Sequence, residues 1–245
     1  MRRRALAAVC VAVLVALAGC GALGSSGGQP TTTQADESGP SVHERVADAT
    51  ADVTTYRVDF QMNLTTNGET LRLTQAGVYN RTSERARLNA SVYGTPATTY
   101  FDGETAYVNA AGQWQVQDLS GSGLWGENGT LARQRALLET GSVSVVGNAT
   151  VDGVQTTVYA VDAEPSAFQS LLGQQTGATS QVAVQNASYR LYVADDTDLP
   201  RKAELSTTVT AQGQSSRANV TIRFSEYGEP VEVTIPADAP ASESG

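Results

Sequence analysis

The chain has 245 residues, 40% of them hydrophobic and 17% charged, with a formal net charge of −9. That length allows one domain of ordinary size with its own core. The acidic balance repels phosphate backbones and anionic lipid surfaces, which argues against nucleic acid as a partner and against attachment through a polybasic patch.

The first twenty residues set the expected compartment. Arg2, Arg3 and Arg4 form a positive start, an apolar run extends from Ala5 to Ala18, and Gly19 and Cys20 follow. The run is too short for a membrane span, which needs about 20 apolar residues, and has the length of a signal-peptide core. Leu17-Ala18-Gly19-Cys20 resembles the lipobox of lipoprotein signal peptides, in which the cysteine becomes the first mature residue and carries a lipid. An ordinary secretory peptide cut near Ala18 or Gly19 is the alternative. The arginines are compatible with twin-arginine export as well as the general route. Cys10 and Cys20 are the only cysteines, and Cys10 lies inside the expected signal peptide. The exported chain therefore keeps one thiol, which can form neither an internal disulfide nor a thiolate zinc site.

Loss of Arg2, Arg3 and Arg4 on cleavage makes the chain three charges more acidic, and Lys202 is its only lysine. Such a composition reads as solubility in high salt, a halophilic trait, rather than as a cation site. Residues 20–41 hold Gly, Ser, Thr, Pro, Gln and acidic residues with little to bury, so they read as a flexible tether spanning about 25 Å. Residues 42–236 are one domain, and 237–245 a short polar tail.

The domain opens on a helix. Ser41 stands three residues before Glu44, the capping-box spacing, and Val42, Val46, Ala49 and Val53 share a face. The period then drops to two. Val58, Phe60, Met62 and Leu64 alternate with polar residues, Asn67-Gly68 makes a hairpin turn, and Leu71 and Leu73 begin the return strand. Leu88, Ala90 and Val92 repeat the pattern. Asp102-Gly103 and Asp152-Gly153 predict further hairpins, pairing 99–101 with 105–108 and 142–151 with 154–161. Helices are expected near 130–139 and 165–172, and strands over 188–193, 203–210 and 218–224. In the last, Ala218, Val220, Ile222 and Phe224 point one way. The expected fold is mainly β, a strongly curved antiparallel sheet with a few helices.

Asn63, Asn80, Asn89, Asn128, Asn148, Asn186 and Asn219 each begin an Asn-x-Ser/Thr sequon, and only Asn67 and Asn109 do not. Serine and threonine make up about a fifth of the chain, so chance would place about two of the nine asparagines in sequons. The excess predicts a glycoprotein; a compositional accident in a threonine-rich chain is the alternative. Asn63, Asn89 and Asn219 fall on the polar side of their strands, where a glycan leaves packing intact.

Two segments carry a family resemblance. One is Tyr192-Val193-Ala194-Asp195-Asp196-Thr197-Asp198-Leu199-Pro200; the other is Phe224-Ser225-Glu226-Tyr227-Gly228-Glu229-Pro230-Val231, followed by Ile235-Pro236. With the lipobox, first helix and amphipathic hairpins, they are similar to the LolA/LolB-like and LppX/LprG-like lipoproteins over most of residues 42–236. The resemblance implies a half-barrel of about eleven antiparallel strands with two or three helices over its concave face. In characterised relatives that cavity holds acyl chains of lipids or lipoproteins. The sequons and the acidity depart from the bacterial pattern, so the cargo does not carry over.

Catalysis finds little support, and no cofactor or metal is expected. His43 is the only histidine and lies on the first helix, so the common triads cannot be assembled. Asp195, Asp196 and Asp198 lack the spacing and the downstream glutamate of an EF-hand and read as a turn closed by Pro200. Gly121-Ser122-Gly123-Leu124-Trp125-Gly126 has no lysine and is no phosphate loop. Trp125 can gate a cavity mouth or pack on the core. The apolar face, with Val58, Phe60, Met62, Leu64, Leu71, Leu73, Leu88, Val92, Leu191, Val220, Ile222 and Phe224, can line a ligand cavity or be a filled core; periodicity does not separate the two. The expectation is a monomer, lipid-anchored at the outer face of the cell membrane, that binds a lipid or other hydrophobic ligand. The alternative is a structural or partner-binding glycosylated lipoprotein.

Overall fold

A computed structural model of the chain describes residues 40–92, 94–126, 129–163, 182–211 and 214–241. The expected signal peptide, nearly all of the tether, the helix at 165–172 and Asn128 lie outside these residues. Helix α1 (Val42–Ala51) starts at a capping box. The Ser41 hydroxyl accepts from the Glu44 amide at 3.2 Å, and the Glu44 carboxylate accepts from the Ser41 amide at 2.8 Å. These bonds satisfy donors that a helix start otherwise leaves open.

Eleven strands form one antiparallel sheet. In chain order they are β1 (Thr55–Thr66), β2 (Glu69–Asn80), β3 (Arg85–Val92), β4 (Thr95–Asp102), β5 (Thr105–Ala110) and β6 (Gln113–Asp118), then β7 (Gly141–Val151), β8 (Val154–Ala163), β9 (Val182–Ala194), β10 (Pro200–Ala211) and β11 (Gln214–Ser225). Helix α2 (Thr130–Leu138) stands between β6 and β7. The spatial order is β6-β5-β4-β3-β2-β1-β11-β10-β9-β8-β7, two meanders joined where β1 pairs with β11. The link from β6 to β7 must therefore pass from one edge of the sheet to the other. It crosses the concave side and carries Leu119, Leu124, Leu131 and Leu138 into the core.

Three of the turns use two residues in the left-handed region, the type I′ geometry that matches strand twist: Asn67-Gly68 at φ 53° and 82°, Ala111-Gly112 at 52° and 78°, and Asp152-Gly153 at 49° and 83°. The β4–β5 turn differs from its expected form. Asp102 ends β4 and its carboxylate takes the Arg85 guanidinium at 2.9 Å, while Gly103 alone supplies the positive φ, 58°. Strand β6 has no counterpart among the expected strands. It offers only Trp114 and Val116 between polar residues, because it is an edge strand with little to bury.

The period-two pattern becomes two faces. Met62 lies between Leu73 and Val220, and Leu64 between Leu71 and Ala218, on the inner side. Asp59 lies opposite Arg223, and Asn63 opposite Asn219, on the outer side. The main core brings Val58, Tyr79, Leu88, Phe101, Tyr189, Leu191 and Phe224 under Val46 of α1 and Leu131 and Leu138 of α2. Arg45 fastens α1 to the second meander, donating to Asp198 Oδ1 at 3.0 Å and to the Tyr159 hydroxyl at 2.8 Å.

Candidate functional site

The concave face divides into two parts. Val58, Leu88, Leu191 and Phe224 belong to the main core cluster, with Ile222 and Trp125 packed against it. Phe60 and Leu73 are buried outside that cluster, while Met62, Leu64, Leu71 and Val220 are half-buried and also outside it. These six continue the apolar face of β1, β2 and β11 toward the Asn67-Gly68 turn. Val92 belongs to the same row, opposite Leu73; its side chain is not among the described ones.

Trp125 both packs on the core and walls a cavity. Its indole donates to the Gly103 carbonyl at 2.7 Å and meets the Tyr79 ring edge-on at 6.2 Å. Tyr79 stacks on Tyr56 at 4.9 Å, with the rings 3° from parallel. Beside this aromatic group is a cavity of about 230 Å³, between the end of α1, the start of α2 and the Trp125 loop. Its walls include Tyr56, Leu124, Trp125 and Leu131, together with Arg81 and Arg135. Burial pushes the phenols of Tyr56 and Tyr79 well up, so both are neutral donors at physiological pH. Sequence reasoning missed the two arginines, because nothing in their spacing shows that a turn after β2 and a helix 50 residues later meet.

A larger concavity, about 620 Å³, opens on the outer face and is polar. Asp59, Gln61, Thr74, Asn89, Lys202, Glu204, Thr221 and Arg223 line it, and Phe60 borders it. Its cations are already matched. Lys202 lies 2.5 Å from Glu204 and 4.7 Å from the centre of the Tyr192 ring, and Arg223 reaches Asp152 at 3.3 Å.

The acidic turn residues are likewise engaged within the fold: Asp195 accepts from Thr157 at 2.8 Å and Asp198 from Arg45. No group of three or more potential metal ligands occurs among the described residues. His43 Nε2 on α1 lies 2.6 Å from Glu139 at the end of α2. Among the sequons, Asn89, Asn148, Asn186 and Asn219 are exposed, Asn63 and Asn80 half-buried. Asn80 differs from the rest: its amide nitrogen donates to the Val231 carbonyl at 2.9 Å, and its oxygen accepts from the Ser83 amide at 3.1 Å.

Two solved structures are similar to the whole half-barrel. The lipoprotein LppX of Mycobacterium tuberculosis matches with a TM-score of 0.53 at 14% identity, over 79% of this chain and 96% of that one. LprF of Mycobacterium bovis matches with a TM-score of 0.51 at 16% identity, over 81% of this chain and 96% of that one. No protein-family model matches the sequence, and no curated protein does. At such identities the likeness is one of architecture: the chain has the LppX-like half-barrel fold.

Proposed function

We propose that this chain is a lipoprotein held through Cys20 at the outer face of the cell membrane, where its half-barrel binds or carries a lipid or other hydrophobic ligand. One observation carries the reading: the concave face is mostly apolar, broken by a few buried polar residues such as Gln75 and Thr207, yet the main core cluster occupies only part of it. Met62, Leu64, Leu71 and Val220 remain half-buried on β1, β2 and β11. Apolar side chains in register on a concave surface are what an acyl chain needs, since its burial contributes about 0.8 kcal/mol per methylene. The fold shared with the lipoprotein LppX supports the same class of protein.

Native mass spectrometry of protein purified from its own membranes tests this. Co-purifying lipid is expected, and Met62→Asp should reduce it several-fold without unfolding the domain. Consistently empty protein counts against a carrier. The second reading, a structural or partner-binding glycosylated surface lipoprotein with a filled interior, draws on the core beneath α1 and α2, where Tyr189, Phe101 and Leu191 are almost completely buried. Empty protein with a marked loss of thermal stability in the Met62→Asp variant would favour it, since a carboxylate in a packed interior is costly.

A further inference from the structure

The cavity beside Trp125 is walled by two cationic side chains. The chain carries 25 acidic residues against 16 basic ones, yet two half-buried arginines share this one cavity. The guanidinium groups of Arg45, Arg57, Arg85 and Arg223 lie in ion pairs, whereas Arg72, Arg87, Arg190 and Arg217 lie in none with a described residue but are exposed to water. Among the described residues, Arg81 and Arg135, which wall this cavity, lie in no ion pair, and no acidic side chain lines it. Glu139 is the helix-spaced partner Arg135 would be expected to have. Its carboxylate lies instead 2.6 Å from His43 Nε2.

Arg81 has a structural task as well. Its Nη1 donates to the carbonyls of Thr50 at 3.1 Å and Val53 at 2.7 Å, which offsets the negative end of α1 where that helix meets the cavity. Arg133, on α2 with Arg135, is half-buried and also unpaired with any described carboxylate. The opposite wall is apolar and aromatic, with Leu124, Leu131, Tyr56 and Trp125.

We infer that this cavity binds an oxyanion, a phosphate or sulfate group, with Arg135 and Arg81 as its cationic contacts and Trp125 as its apolar wall. A volume of about 230 Å³ holds such a group and a few attached atoms, but not an acyl chain. The site therefore suits the head of an anionic amphiphile, or the free anion. Assignment to a lipid head rests on the carrier reading proposed above; the anion site itself does not.

The test uses the whole chain with Trp114→Phe, which leaves Trp125 as the only indole. Decyl phosphate, decyl maltoside and inorganic phosphate are titrated separately at one fixed salt concentration, below the micelle threshold. Decyl phosphate should shift Trp125 emission and bind at least tenfold more tightly than decyl maltoside. Arg135→Gln and Arg135→Glu should remove that preference while leaving decyl maltoside affinity and the far-ultraviolet circular dichroism unchanged. Competition by inorganic phosphate at similar concentrations assigns the site to the free anion; lack of competition assigns it to the amphiphile's head. Equal affinity for charged and neutral amphiphiles, or a preference that survives in folded Arg135→Glu, overturns the inference. Failure of decyl maltoside alone to bind counts against the carrier reading and leaves the anion site standing.

Discussion

Gly77 sits inside β2 with Val58 on one side and Leu88 on the other, both core residues. Leu88 fills the space that a side chain at position 77 would need. A Cβ there would overlap the Leu88 methyl and come 2.6 Å from the Arg87 carbonyl oxygen. Backbone cannot swing away as a flexible side chain can, so Gly77→Ala should destabilise the domain by about 3 kcal/mol, the upper part of the overpacking range. A shift of the urea midpoint with unchanged slope is the expected readout; an unchanged midpoint would mean that β2 and β3 are not packed as described. Gly68 requires glycine for a different reason. Its φ of 82° opens onto empty space, so there the cost of a side chain is backbone strain alone.

The segment after β11 shows how an element without regular structure earns a fixed place. The Gly228 amide donates to the Thr55 carbonyl at 3.0 Å, the Thr55 hydroxyl to the Glu229 carbonyl at 2.8 Å, and Asn80 to the Val231 carbonyl at 2.9 Å. Val233 is buried, and Trp114 on β6 donates to Asp238 at 3.3 Å. The chain thus straps the first meander from β1 to β6. Asn80 begins a sequon, but it is a clamp in this strap. Glycopeptide mapping should find any glycans on exposed sequons such as Asn89, Asn186 and Asn219, and none on Asn80. Asn80→Ala should cost about 1–2 kcal/mol, because it leaves the Val231 carbonyl and the Ser83 amide without their partner. A glycan found on Asn80 would sink the clamp.

Across the whole molecule, four phenols report on the core. Burial raises the pKa of Tyr56, Tyr79, Tyr189 and Tyr227 above the ordinary value of 10.0. A raised folded-state pKa means that the unfolded chain releases these protons first. Their contribution to stability is complete below about pH 10 and is lost as the pH climbs beyond it. Phenolate absorbance should therefore rise in two phases, the exposed tyrosines gradually and these four in one step together with loss of secondary structure. A single smooth titration in a chain that stays folded would show that the aromatic core is open to water.

Local features were readable because their causes are local. A capping box needs residues three apart, a type I′ turn needs two adjacent residues that tolerate positive φ, and a half-buried strand needs only alternation; α1, the Asn67-Gly68 turn and β1 follow from these. Strand β6 escaped because an edge strand buries too little to show the pattern. What the tertiary structure alone decided is long-range: that β1 lies beside β11, that the β6–β7 link crosses the concave side, and that Arg81 and Arg135 meet there beside Trp125. An apolar residue announces by its period that it will be covered. What covers it, and which charges are left without a partner once it is covered, depends on the order of the strands, and no short stretch of chain encodes that order.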